Sequence, residues 1–281
     1  MFDILIHNRG GTCMNTTILR IMKAIKLFML DLDGTLYRGI IPIEGAVTFV
    51  KAIRASQRRV VFFTNNASKT PEAYIEKLSL LGFEPGQDEV MTSGDVTIEY
   101  LCSQRKGEKV FCLGTPSLLD SLEKAGVPLA TIGEEADIVL SSFDLTLTYE
   151  KLVHACDLLR NGAAFLSTHP DINCPTETGF IPDCGAINAL LTASTGKTPR
   201  SFGKPNAETA AYIAKKSRLS SREIAMVGDR MYTDIALGKR HGLWAILVLS
   251  GETREKDLVQ TPRNEFPDLI FPSVKEIIPY L

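Results

Sequence analysis

LFMLDLDGTL, residues 27–36, closes a run of four apolar residues on two aspartates at i and i+2, followed by Gly-Thr. At ~4 Å and an effective dielectric of ~20, two carboxylates repel by roughly 4 kcal/mol. That is a large share of the ~5–15 kcal/mol that holds a domain together. Solvent, a cation or a chemical task must offset it. The apolar run reads as a buried strand, and Gly34-Thr35 marks the turn where it emerges. In open α/β sheets ligands bind beyond the carboxyl ends of the strands. Asp31 and Asp33 there suit a hard cation such as Mg²⁺, or they form a polar strand end with solvated aspartates. A calcium EF-hand loop is excluded, because Leu36 takes its glycine position and Pro42 its terminal glutamate position.

The same rhythm extends over the chain. IKLFML (25–30) precedes helical spacing over residues 45–58, with Ala46, Val47, Val50 and Ile53 on one face. RVVFFT (59–64) precedes a helix with Thr70 as N-cap, Pro71 at its first position and Gly82 at its close. Further strands are predicted at 109–114, 136–142, 163–168, 223–229, 244–250 and 268–272, and helices at 95–105, 116–125, 149–160 and 186–194. Alternation of this kind predicts an α/β fold with parallel, buried strands. Gly/Pro-bearing connectors at 82–87 and 196–200 suggest that the middle segment is a second domain inserted into the first. Residues 1–21 show no clear period and read as a flexible extension.

Composition excludes several classes. With 44% hydrophobic and 23% charged residues and a net charge of −2, the chain has no cationic surplus for nucleic acid. No apolar stretch approaches the ~18 residues of a membrane span, and the N-terminus lacks a signal-peptide pattern. Cys13, Cys102, Cys112, Cys156, Cys174 and Cys184 form no C-x-x-C pair, so reduced thiols and a cytoplasmic location are expected. Cys174, Cys184 and His169 match no common zinc spacing.

Three further stretches carry chemical groups at strand ends. Thr64-Asn65-Asn66 offers hydroxyl and amide donors for phosphate oxygens, or forms a strand-to-turn transition. Lys204 stands between Gly203 and Pro205, and the proline keeps it out of helical geometry so that its ammonium can project from a loop. Neither Gly-Lys pair has the glycine a Walker A loop requires. IAMVGDRMYTD (224–234) places Asp229 at a strand end and Asp234 one to two turns on; an N-cap role is the alternative for Asp229. Gathered at one sheet edge, these carboxylates, one lysine and neutral donors could bind a phosphoryl group while a carboxylate attacks it.

DLDGT, TNN, GKP and GDRMYTD, in this order, resemble the haloacid dehalogenase (HAD) superfamily of phosphohydrolases, and more closely its NagD/4-nitrophenylphosphatase-like branch. The resemblance runs from about Lys26 to the C-terminus. It implies a Rossmann-like parallel-sheet core (22–82 and 200–281) with an inserted α/β cap domain (83–199). It also implies Asp31 as nucleophile and Asp33 as general acid, then base. Mg²⁺ would be held by the Asp31 side chain, the Asp33 carbonyl and Asp229, with Asp234 in support. Thr64, Asn65, Asn66 and Lys204 would hold the phosphate group. The cap's substrate-facing stretch would be residues 167–187, with His169 and Asp171 as binding residues. Relatives often read Thr-Asn-x-Asp there; His169 in place of that Asn, and Cys174 before Pro175, prevent any transfer of substrate preference. The expected partner is a small phosphorylated metabolite, with no nucleic acid and no membrane; a homodimer through the cap is one option, and the sequence does not give the oligomeric state. A phosphotransferase or mutase would use the same aspartyl-phosphate. A non-catalytic phosphate-binding protein would have no need of Asp31, Asp33, Lys204 and Asp229 together.

Overall fold

The computed structural model describes residues 12–176 and 178–281, the first four as backbone only. In chain order the chain forms helix α1 (Thr12–Ala24), strand β1 (Leu27–Leu30) and a hairpin of β2 (Tyr37–Arg38) and β3 (Ile41–Pro42). Then come α2 (Ala46–Ala55), β4 (Arg59–Thr64), α3 (Pro71–Leu80), β5 (Val90–Thr92) and α4 (Ser93–Gln104). The middle continues with β6 (Val110–Leu113), α5 (Pro116–Lys124), β7 (Ile138–Ser141), α6 (Tyr149–Arg160) and β8 (Ala164–Ser167). An antiparallel hairpin of β9 (Asn173–Thr176) and β10 (Gly179–Pro182) leads to α7 (Cys184–Thr195) and β11 (Arg200–Ser201). The chain ends with α8 (Ala207–Ser217), β12 (Ile224–Gly228), α9 (Ala236–His241), β13 (Trp244–Val248) and β14 (Leu269–Phe271).

Two compact units divide the chain. One comprises residues up to Phe63, Ile75–Met91 and Ala210–Leu281; the other comprises Thr64–Tyr74 and Thr92–Thr209. The predicted divisions at 82/83 and 199/200 thus stand beside observed ones at 63/64, 74/75, 91/92 and 209/210. Hydrogen bonds explain where Thr64–Tyr74 is counted: the Thr115 hydroxyl donates to the Ser68 carbonyl (2.8 Å), and the Ser93 hydroxyl donates to the Asn65 carbonyl.

The first unit is built on a sheet of order β14-β13-β12-β1-β4-β5. β1 lies parallel between β12 and β4, with Leu27 opposite both Ile224 and Arg59. All four β1 side chains are buried, which is why this strand reads as an unbroken apolar run. Each contributes roughly 1.5–3 kcal/mol by leaving water. Phe28 meets Phe49 of α2 edge-on at 6.1 Å, fixing that helix on one face. α3 starts as expected, its Ala73 N–H reaching the Thr70 hydroxyl at 3.4 Å, and Gly82 follows at φ 85°, a conformation glycine adopts without penalty.

The second unit holds a parallel sheet of order β11-β8-β7-β6. Phe111, Leu113, Val139 and Phe165 from its strands pack with Leu159 of α6 and Leu191 of α7. The Thr92 hydroxyl caps α4 through the Asp95 N–H, and Asp183 caps α7 through the Cys184 N–H at 2.6 Å.

Residues 12–21 differ from the expectation of a segment without structure, while residues 1–11 lie outside the described residues. α1 buries Ile18, Ile21 and Met22, and Ile25 follows just beyond it. These positions are i, i+3, i+4 and i+7, one helical face. A reading that stops at residue 21 cuts this stripe in half.

Candidate active site

β1 and β12 are neighbours, and each ends on an aspartate. The Asp31 N–H donates to the Val227 carbonyl at 2.9 Å, carrying the ladder one residue past β1. The chain then turns: the Leu32 carbonyl accepts from Leu36 at 2.9 Å, and Gly34 adopts φ 86°. Asp229 follows the last residue of β12, and Asp234 lies in a π-helical turn, Met231–Ile235. Ligand oxygens of Asp31, Asp229 and Asp234 all come within 4.8 Å of one another.

Glycines make this gathering sterically feasible. A Cβ on Gly251 would stand 1.9 Å from Asp229 Oδ2, one on Gly34 2.6 Å from the same oxygen, and one on Gly228 2.3 Å from Asp234 Cγ. The backbone therefore closes on two carboxylates from several sides. Asp229 Oδ2 accepts from the Glu252 N–H at 2.6 Å, and an Asp234 oxygen accepts from the Arg230 N–H at 3.1 Å. The Arg230 guanidinium is itself 3.1 Å from Glu252.

Burial, then the charges of Asp31 and Asp234, push the Asp229 carboxyl up to about 8; the Glu252 N–H and Arg230 pull the other way. A hard divalent cation among these oxygens would reverse that balance. The donor set, three carboxylates with no nitrogen or sulfur, fits Mg²⁺. The carboxylate of Asp33 is not in this group. Its carboxyl is held above the ordinary range chiefly by burial, with Asp31 adding to the rise and Lys77, Arg230 and the Tyr37 hydroxyl opposing it. The Lys77 ammonium stands 3.9 Å over the Tyr37 ring. A carboxyl biased toward its protonated form is suited to proton donation.

The remaining predicted residues fall in the second unit. Thr64 accepts the Asn66 N–H on its hydroxyl at 3.1 Å, and Asn66 Oδ1 accepts from the Ser68 N–H at 2.9 Å, a turn locked by its own side chains. Lys204 is 2% exposed, unlike a solvated surface lysine. Asn65 Oδ1 accepts the Lys204 N–H at 2.8 Å, while Asn65 Nδ2 donates to the Lys204 carbonyl at 3.0 Å and to Asp171 at 3.2 and 3.3 Å. His169 is fully buried, its Nε2 2.9 Å from Asp183 Oδ1 and its Nδ1 2.9 Å from the Thr168 hydroxyl. The stretch expected to face substrate thus divides. His169 and Asp171 have buried partners, whereas most of β9 and all of β10 are exposed. Cys184 is buried with its Sγ 3.2 Å from the Ser167 hydroxyl, and burial pushes its thiol up to about 11.

The chain matches the family described as haloacid dehalogenase-like hydrolase over residues 28–128 and a HAD-hydrolase-like family over 201–277. It is 35% identical to the 5'-nucleotidase YutF of Bacillus subtilis, across 92% of this chain and 100% of that one. It is 37% identical to an acid sugar phosphatase of Staphylococcus aureus, across 92% and 98%. The chain belongs to the haloacid dehalogenase-like hydrolases. The solved 4-nitrophenylphosphatase of Thermotoga maritima superposes with a TM-score of 0.87 at 41% identity, covering 92% of this chain and 98% of that one. The resemblance of DLDGT, TNN, GKP and GDRMYTD to the NagD/4-nitrophenylphosphatase-like branch of this phosphatase family is thereby borne out. None of the helices among the described residues is long and apolar enough to cross a membrane.

The sequence reading missed Gly251, Glu252 and Lys77. Gly251 and Glu252 lie in SGET, just past β13, where a strand ending in Ser-Gly at the carboxyl edge of the sheet was the available signal. Lys77 sits on α3 among other helix-surface charges and carries no sequence signal.

Proposed function

We propose that this member of the family is a Mg²⁺-dependent phosphomonoesterase that works through an aspartyl-phosphate on Asp31. The observation that carries the reading is the convergence of the Asp31, Asp229 and Asp234 carboxylates under glycine backbone. Asp31, Asp229 and Asp234, with the Asp33 carbonyl, would hold Mg²⁺. Bound there, the cation would keep the carboxylates ionised and draw charge from the phosphoryl oxygens.

Asp31 attacks phosphorus with a carboxylate oxygen while the bond to the leaving oxygen breaks. Asp33 gives its proton to that oxygen. Asp33 then takes a proton from water as the water oxygen attacks phosphorus, and the bond to Asp31 breaks to release inorganic phosphate. Thr64, Asn66, Lys204 and the backbone N–H of Asn65 hold the phosphoryl group, the Asn65 carboxamide being engaged with Lys204 and Asp171. The substrates are small phosphorylated metabolites, with nucleoside monophosphates and sugar phosphates first among them on the names of the relatives. The core is residues 22–82 and 200–281 and the cap is 83–199, in a cytoplasmic protein.

The test is acid-quench trapping with a ³²P-labelled phosphomonoester. Label on the peptide containing Asp31, absent in Asp31→Asn, supports the reading. Turnover at the wild-type rate in Asp31→Asn overturns it. Adding an acceptor alcohol separates hydrolysis from phosphoryl transfer: a phosphorylated alcohol as the main product would make the enzyme a transferase.

A further inference from the structure

Asn65 makes a set of contacts that the chemistry of phosphate binding does not call for. Its carboxamide binds both backbone groups of one residue, the N–H and the carbonyl of Lys204, at 2.8 and 3.0 Å. Its Nδ2 also faces both oxygens of Asp171. A carboxylate accepts only, so Asp171 fixes which end of the amide is nitrogen. With the amide so oriented, only its oxygen is left to receive the Lys204 N–H. Reversed, the amide would set oxygen against carboxylate and against the Lys204 carbonyl, and nitrogen against an N–H.

The surroundings hold this arrangement in place. Asn65 is 4% and Asp171 7% exposed, so water does not compete for these bonds. A Cβ on Gly203 would come 2.6 Å from Asn65 Oδ1 and 2.8 Å from His169 Cβ, so the chain reaches the amide only as glycine. The Gly203 N–H donates to the Thr168 carbonyl at 2.7 Å, and the Asp171 carbonyl accepts the Gly185 N–H at 2.7 Å. Asp171 itself and the residue before Lys204 are thus anchored by backbone hydrogen bonds. One segment after β4, one after β8 and one after β11 meet at a single side chain.

We propose that Asp171 and the Asn65 side chain are positioning residues: they set the backbone of Lys204, and through it the place of the ammonium that holds the phosphoryl group. This deepens the function proposed above and rests on Lys204 having that task. Asp171 then acts on the step all substrates share, whereas a residue touching the leaving group would act on their ranking.

The experiment is a double-mutant cycle of Asp171→Ala and Lys204→Ala, with kcat/KM measured on nitrophenyl phosphate, acetyl phosphate, a nucleoside monophosphate and a sugar phosphate. Lys204→Ala should depress all four. Asp171→Ala should depress all four by one common factor, roughly tenfold to a hundredfold, the scale of a misplaced catalytic group. In the Lys204→Ala background it should add less than about twofold, because its effect passes through the missing ammonium. Asp171→Asn, which can still accept from Asn65, should recover most of the activity. If Asp171→Ala does not fold, Gly203→Ala, which drives a methyl into the same amide, is taken through the same cycle.

A factor that differs between substrates, or that persists undiminished in the Lys204→Ala background, overturns the proposal. So does a loss confined to melting temperature with kcat/KM unchanged. If Lys204→Ala itself has no effect on any substrate, the role given to Lys204 in the proposed function fails, an outcome distinct from failure of the clamp.

Discussion

Gly251→Ala tests the metal centre through backbone rather than charge. Gly251 has no positive φ, so alanine brings no conformational penalty of its own. Its Cβ would stand 1.9 Å from Asp229 Oδ2 and 2.3 Å from Asp229 Cγ, where ordinary contact begins at 3.4 Å. The carboxylate or the loop must therefore give way by about 1.5 Å. The Glu252 N–H, which donates to the same oxygen at 2.6 Å, is the next residue and moves with the loop. A displacement of ~1 Å at a catalytic group costs on the order of a hundredfold in rate, or about 2.7 kcal/mol of transition-state stabilisation. The half-saturating Mg²⁺ concentration should rise in parallel. Nitrophenyl phosphate hydrolysis is titrated with Mg²⁺ for wild type, Gly251→Ala and a control, Gly86→Ala, whose Cβ meets nothing nearer than 3.6 Å. A folded Gly251→Ala protein with the turnover and Mg²⁺ requirement of the control would refute the assignment of Asp229 to the cation.

Further outcomes follow from the same geometry. Asp31→Asn should lose at least ~4 kcal/mol of transition-state stabilisation, about a thousandfold in rate, by single-turnover kinetics. In metal-free protein the Asp229 carboxyl is raised to about 8. Its contribution to stability is therefore complete below the unfolded value of ~3.9 and is lost as the pH rises through about 8. The melting temperature of chelated protein should thus fall across that window, and Mg²⁺ should raise it more at pH 8.5 than at pH 5. An equal slope in Asp229→Asn would count against this. Removal of residues 1–21 takes away Ile18 and Ile21, each less than a tenth exposed and each worth roughly 1.5–3 kcal/mol. The shortened chain should melt several degrees lower; an unchanged melting temperature would mean that α1 adds nothing to the first unit.

Most strands of both sheets were legible because parallel strands buried on both faces must be apolar throughout, as β1, β6 and β12 are. Helices announced themselves where a cap stood in the sequence, as Thr70-Pro71 does for α3. What escaped was short or cut by the reading frame. β5 has three residues and β11 two, too few for any period to register. β9 and β10 carry almost no buried side chain, so their pairing is written in backbone hydrogen bonds rather than in hydropathy.

The site was legible to the degree that its chemistry resides in charged side chains. Asp31, Asp229 and Asp234 stand out because a carboxylate at the end of a buried strand needs a reason. What holds them is made from residues with no charge to notice. Glycines 34, 228 and 251 matter for the atoms they lack, and the Glu252 donor is a backbone N–H that any residue but proline could supply. The second unit repeats the pattern. Lys204 and Asn65 could be picked out as phosphate ligands, but the bonds of the Asn65 amide to the Lys204 backbone depend on three segments far apart in sequence. A motif reading therefore finds charged and polar side chains before the glycines and backbone contacts that hold them. Asp171, expected to face substrate, has the Asn65 amide as a buried partner.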